Sequence, residues 1–280
     1  MNLKSRIKSS VIYAMAFALS AMPITQVFAN DDNDNFGIWT SIDASKKLTE
    51  KMKFGIEGEF RTTDGVKEVD RRSLGVSLSY KPFTWLKADI GYIFMNAYEP
   101  EETKTEVFDV VDNQTLYNKK TDHAYRVNKD RLYLSLTGSF DIGRLEFSIR
   151  ERLQYTYTND AFTTEDKEEW YYEDMINFAD PALDTKTEVE QKDCKRNTTL
   201  RSRLTVKWDI RKCPIKPFVS AELFTRADEW RFHDKVRYRA GADYKIDKDN
   251  SFSVYYIYQN ANDDDEPAGH AIGASYSFDL

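Results

Sequence analysis

Beyond its first 29 residues the chain has no apolar run approaching the roughly 18 residues of a membrane-spanning helix, which excludes helical spans. Histidine and cysteine are scarce, three and two in 280 residues, and they show no zinc-ligand spacing. There is no Walker loop and no Rossmann glycine pattern, so no cofactor and no metal site is expected. The Asp/Asn-rich stretches do not follow the spacing of an EF-hand loop. An acidic balance, formally −7, argues against a nucleic-acid partner. Mean hydropathy is −0.65, which resembles a soluble protein. A lipid-spanning barrel also averages polar, because half of each strand faces an aqueous interior, so hydropathy does not decide between the two.

Residues 1–29 stand apart. Lys4, Arg6 and Lys8 precede the apolar stretch SSVIYAMAFALSAMPI, and Val27-Phe28-Ala29 suits a signal peptidase. We read 1–29 as a signal peptide and 30–280 as the mature domain. Its removal takes away three positive and no negative charges, moving the formal charge from −7 to −10.

What the mature chain has in abundance is alternation. The closing stretch AGHAIGASYSFDL sets Ile272, Ala274, Tyr276, Phe278 and Leu280 against small and polar residues, which period two sends to opposite faces of a strand. FGIWTSIDA, MKFGIEGEFRT, RRSLGVSLSY, WLKADIGYIFMNAY, RLYLSLTGSF, LEFSIRERLQYTY, NTTLRSRLTVKWDI, FVSAELFTRA, KVRYRAGADYKI and SFSVYYIYQ alternate in the same way. Glu151 falls on the apolar side of its strand, which predicts a bulge or a protein contact there. Aromatic content is 14%, as interfacial girdles require.

KPFT, DIGR, RKCPIK and DKDN are short connections, whereas 99–130, 159–195, 228–234 and 261–268 are long. Loop 159–195 is acidic, as is the tip Asp263, Asp264, Asp265 and Glu266. These patterns predict an all-β, antiparallel up-and-down transmembrane barrel with short periplasmic turns and long acidic extracellular loops, in the cell outer membrane. Direct counting finds eleven strands. Because bacterial single-chain barrels are even-numbered, twelve are expected, with ten as the alternative; TEVFDVV at 105–111 is the candidate extra strand. Cys194 and Cys213 fall at opposite ends of one strand, too far apart for a disulfide.

FGIW, EGEFRT, LGVSLSY, LKADIGY, YRAGADYKI and HAIGASYSF, with the signal peptide, resemble a domain-of-unknown-function family of small predicted outer-membrane barrels from Bacteroidetes-like bacteria. The resemblance spans most of 36–280. It implies the fold and the outer membrane, and brings no substrate and no catalytic residue.

Alternation turns Arg61, Arg71, Arg131, Arg150, Arg152, Arg201, Arg203, Arg226, Arg237 and Arg239 toward the lumen, with Lys207 and Lys245. Glu57, Glu59, Asp89, Glu146, Glu222 and Asp243 oppose them. Arginine keeps its charge and grips carboxylates with a planar fork. A basic wall favours a channel or passive uptake component for small anionic solutes. Arg–Glu pairing across a narrow lumen instead gives a plugged barrel that acts through its acidic loops, as a structural or adhesion protein. A third reading is a lipid-modifying hydrolase using His270 as base, although Ile272 rather than a serine follows it on that face, so no catalytic residue is assigned. Outer-membrane lipid and lipopolysaccharide are the expected surroundings. The barrel-assembly machinery is the expected partner of the last strand.

Overall fold

The computed structural model describes residues 36–111, 114–171, 184–227, 231–261 and 269–280. The signal segment, the NDDNDN lead-in and the 263–266 acidic tip lie outside them. Eleven strands close a barrel: β1 (Phe36–Lys47), β2 (Met52–Thr63), β3 (Glu68–Phe83), β4 (Leu86–Glu99), β7 (Tyr125–Ile142), β8 (Leu145–Thr158), β11 (Lys195–Trp208), β12 (Ile215–Arg226), β13 (Arg231–Lys245), β14 (Asn250–Ala261) and β15 (Gly269–Asp279). Ten of the contacts around the ring are antiparallel and follow chain order. The eleventh, β1 against β15, is parallel, with Phe36 opposite His270 and Ser45 opposite Asp279.

The expected twelve strands are therefore corrected to eleven, and the alternative of ten fails as well. Successive up-and-down strands reverse direction, so an odd set begins and ends in the same direction, and its closing pair must be parallel. The closing seam is fastened at the short-turn end, where Lys53 Nζ lies 2.6 Å from Asp279 Oδ1 and Leu280 N donates to Ser45 O at 2.6 Å.

The candidate strand at 105–111 exists, but outside the ring. β5 (Glu102–Val111), β6 (Gln114–Asp122), β9 (Ala161–Tyr171) and β10 (Asp184–Lys192) form a separate four-stranded sheet in the order β10-β9-β6-β5. This sheet corrects the reading of 99–130 and 159–195 as loops. The two hairpins continue β4, β7, β8 and β11 beyond the wall. Cross-strand charge pairs stabilise them, including Lys167–Glu188 at 2.8 Å and Lys119–Glu168 at 3.4 Å. The turns read as KPFT, DIGR, RKCPIK and DKDN lie at the opposite end, while the short β2–β3 turn, residues 64–67, lies at the sheet end; Gly143 takes a φ of 62° in the two-residue turn between β7 and β8.

The outer wall is apolar and open to its surroundings. Leu74, Ile90, Leu132, Leu134, Leu136, Ile149, Leu204 and Tyr238 are all exposed on it. Side chains of this kind on an outward band belong against lipid acyl chains. The β8–β11 register runs unbroken from Lys195–Thr158 to Trp208–Leu145, so no bulge explains Glu151. It remains on the outer face, where Ser202 Oγ donates to Glu151 Oε2 at 2.6 Å. Cys194 and Cys213 are free thiols, one just before β11 and the other in the turn after it.

Candidate functional site

An eleven-stranded ring is wider than the eight-stranded size whose interior ordinary side chains just fill, so large inward groups are needed to close it. The inward face supplies them. Glu222 of β12 is 2% exposed and is the hub. Its carboxylate oxygens meet Arg150 at 2.7 Å, Arg201 at 2.9 Å, Arg203 at 2.8 Å and Arg237 at 3.8 Å. Four guanidiniums thus share one carboxylate, a surplus of three positive charges. Arg201 also donates to Gln154 Oε1 at 3.2 Å, and Arg237 to Gln259 Oε1 at 2.6 Å.

Trp39 of β1 continues the layer across the closing seam. Arg61 lies 3.6 Å from the centre of its ring and Arg237 4.8 Å from it, so both make cation–π contacts with the indole. Arg61 and Arg71 then both hold Glu59, at 2.9 and 3.0 Å. On the far side Arg152 donates to Ser135 Oγ at 2.8 Å and lies 4.1 Å over Tyr133. Aromatic rings fill the remaining space because glycine faces them. A side chain at Gly91 would meet the Tyr133 ring at 2.5 Å, and one at Gly273 would overlap the Tyr255 ring. Tyr255 in turn carries Arg239 at 5.6 Å.

Above this waist, toward the four-stranded sheet, the lumen widens into a vestibule of about 430 Å³. Eleven lysine and arginine side chains line it, including Arg61, Arg71, Arg131, Arg201, Arg226 and Arg237, against three carboxylates, Asp70, Glu99 and Asp193. Several are held by neighbours: Lys129 meets Glu99 at 2.8 Å, and Arg131 donates to Thr156 at 3.0 Å. Phe224 forms an apolar spot in its floor, with Arg201, Lys235 and Arg237 all within 4.9 Å of the ring. Toward the short-turn end the wall becomes polar and mixed. Glu57 stays solvent-exposed on the inward face, and Lys207 pairs with Asp243 at 2.6 Å.

The nominated lumen residues thus fall into four groups. Arg150, Arg201, Arg203, Arg237 and Glu222 form one cluster, and Arg61, Arg71 and Glu59 form a second. Arg131 and Arg226 line the vestibule. Arg152 and Arg239 pack on tyrosines. Lys245 stands exposed near the barrel end, outside these groups. Trp39, Gln154, Gln259, Tyr133 and Tyr255 were not nominated. The available signal for Trp39 was an indole on the polar face of β1, beside Ser41 and Asp43.

His270 lies on the outer wall, where Tyr256 Oη bonds its Nδ1 and the Tyr258 ring lies 5.0 Å away. Asp122, Glu165 and Glu190 bring carboxylate oxygens within 4.8 Å of one another. Lysines already occupy this cluster: Lys192 reaches Asp122 and Glu190 at 2.7 Å, and Lys167 reaches Glu165 at 3.0 Å.

A closed ring with an apolar outer wall and charged interior defines a β-barrel of outer-membrane type. Within that class the chain belongs to the family described as a protein of unknown function, DUF2490, whose model matches residues 36–269. Comparison with curated proteins returns no match. Among solved structures, the chain is similar to the β-domain of the Bordetella autotransporter BrkA, at 12% identity and a TM-score of 0.37, covering 85% of this chain and 94% of that one. It is also similar to a Pseudomonas aeruginosa FadL homologue, at 12% identity and a TM-score of 0.33, covering 80% of this chain and 62% of the other. The translocator domain of the autotransporter NalP from Neisseria meningitidis matches at 10% identity and a TM-score of 0.29, covering 91% and 92%.

Proposed function

We propose that the protein is an outer-membrane receptor and uptake component for small anionic solutes, with a lumen closed at rest. The observation that carries this reading is the vestibule, where eleven cationic side chains outnumber three carboxylates above a floor that itself holds surplus positive charge. Low-dielectric walls of one sign concentrate counter-ions and strengthen each contact. The deeply buried Glu222 and Arg237 support a sealed waist rather than an open pore. Exposed leucines on the outer wall support the outer-membrane location, with lipid as surroundings and the last strand as the element assembled last.

Two measurements test this together. Purified barrel in planar bilayers is expected to be electrically silent. Calorimetric titration with citrate, inorganic phosphate and an acidic trisaccharide is expected to show saturable binding that weakens with salt. Steady conductance, or no binding of any of the three, overturns the reading. The adhesion alternative draws on the four-stranded sheet beyond the wall, a ready surface for another molecule. The hydrolase reading is the weakest, since the His270 ring is taken up by Tyr256 and Tyr258 in the manner of an interfacial girdle.

A further inference from the structure

Glu151 occupies the fourth of seven outward positions on β8, between Ile149 and Leu153. Its lateral neighbours are Leu136 on β7 and Ser202 on β11. Leu136, Ile149, Leu153 and Leu204 around it are each about half exposed. The carboxyl therefore sits at the middle of the band that faces acyl chains. Ionisable groups at that depth are expensive, and those that persist face protein or water rather than lipid. Ser202 satisfies only one of the several acceptor sites a carboxyl offers.

We infer that a second copy of this chain covers the β8–β11 seam. Two copies in one membrane share their vertical orientation, so the two-fold axis relating them runs along the membrane normal and keeps each residue at its own depth. An axis beside this seam sets β8 of one copy against β11 of the other. Glu151 then faces Ser202 of the second copy, and the same contact repeats on the other side of the axis. The donor–acceptor pair is self-complementary only in this arrangement.

A second observation extends the same seam above the membrane. β9 and β10 continue β8 and β11, and their Ala161 and Lys192 line the vestibule. Alternation turns Phe162 and Val189 to the outer side, where they are 67% and 75% exposed to water. Exposed apolar groups in line with a lipid-facing carboxyl are what a continuous side-by-side contact would cover. On the opposite wall the mid-band outward residues Phe252, Val254, Ile272 and Ala274 are apolar, and the polar pairs there, Tyr256–His270 and Tyr276–Asn250, involve residues at the strand ends.

Cross-linking tests the inference. The chain with Cys194 and Cys213 replaced by serine is reconstituted in liposomes as L200C and as L204C, two sites that flank Ser202 on the seam and leave its hydroxyl in place, and as V254C on the opposite wall. A short bismaleimide is expected to give about tenfold more homodimer from the two seam variants than from V254C, and Glu151→Leu is expected to lower the seam yield about tenfold through two lost hydrogen bonds between the subunits. Equal yields at all three sites, or no dimer from the seam variants, overturn it. So does an E151L barrel that cross-links like its parent, which is the result for a residue that faces only lipid. Seam variants that cross-link in native membranes only to a different protein overturn it as well.

Discussion

Arg201 holds Glu222 Oε1 with two nitrogens of one guanidinium, Nε at 3.1 Å and Nη2 at 2.9 Å, and turns its third nitrogen to Gln154. Both residues are buried, and β11 and β12 position them at adjacent levels of the inner wall. This fork is the centre of the seal, and it makes Glu222 the residue whose loss is felt most widely.

Glu222→Gln preserves shape while removing the carboxylate that four arginines share. Leaving buried charges uncompensated costs about 3 kcal/mol or more. The expected outcome is a lower urea midpoint for the folded barrel, read by the gel shift between folded and heated protein. The same variant is expected to conduct in planar bilayers and to favour anions. A silent E222Q barrel of parental stability would mean that the waist is held by packing alone.

Charge reversal in the vestibule should act on binding and spare the fold. At about 8 Å and an effective dielectric of about 20, a unit charge is worth about 2 kcal/mol, or roughly thirtyfold in affinity. Arg131→Glu and Lys195→Glu are each expected to weaken citrate or phosphate by at least that factor at low salt, with the difference shrinking as salt rises. The measurement is calorimetry at two ionic strengths, with the urea midpoint as control.

Gly273→Val places a branched side chain where the Tyr255 ring now lies. Overpacking of this kind costs about 1–3 kcal/mol. The expected result is a lower urea midpoint that Tyr255→Ala, introduced alongside, partly restores. A midpoint unchanged by the single substitution would show that the ring has room to move.

The sheet beyond the wall carries a pH-sensitive clamp. His123 lies between β6 and β7 and bonds Asp166 at 2.8 Å through Nε2 and Glu101 at 3.2 Å through Nδ1. The Asp166 hydrogen bond raises the imidazole pKa above its ordinary 6.5. Hydrogen bonds from Thr187 and then His123 lower that of Asp166. A raised histidine pKa adds stability below the unfolded value, and that stability is lost as pH climbs through the folded one; a lowered carboxyl adds stability that is lost as pH falls through it. The clamp is therefore tightest in mildly acidic medium. Amide exchange at Thr121–His123 and Thr164–Asp166, corrected for intrinsic rates, should be slowest there and accelerate toward alkaline pH. In His123→Gln that alkaline acceleration should vanish.

The two faces of the wall were legible from alternation alone, because lipid on one side and charge on the other leave little freedom to each position. Leu200 and Tyr238 point outward as the period requires, and Arg201 and Arg237 inward. Pairing within the waist was not legible. Which arginines meet Glu222 depends on register between β8, β11, β12 and β13, and in FVSAELFTRA Phe218 and Phe224 fall on the same side as Glu222 and blur the period. The expected even strand count displaced a direct count of eleven that the ring bears out. TEVFDVV, within β5, was legible as a strand but not as one outside the ring; β6, β9 and β10 escaped notice because residues such as Thr187, Glu188 and Glu190 carry no sustained apolar period.

The parallel seam has a consequence for how the protein is made. Ser45 and Asp279, which meet across it, are separated by 234 positions in the chain. Every other contact around the ring forms between strands that follow one another in the chain, directly or with one hairpin between them, so a nascent sheet grows by zipping and is left with two bare edges until the end. Joining them is the slowest and most entropically demanding event available to this topology. Weakening the Lys53–Asp279 fastening should therefore show first as slow maturation and accumulation of unclosed, aggregation-prone sheet, with solute handling by the completed molecule unchanged.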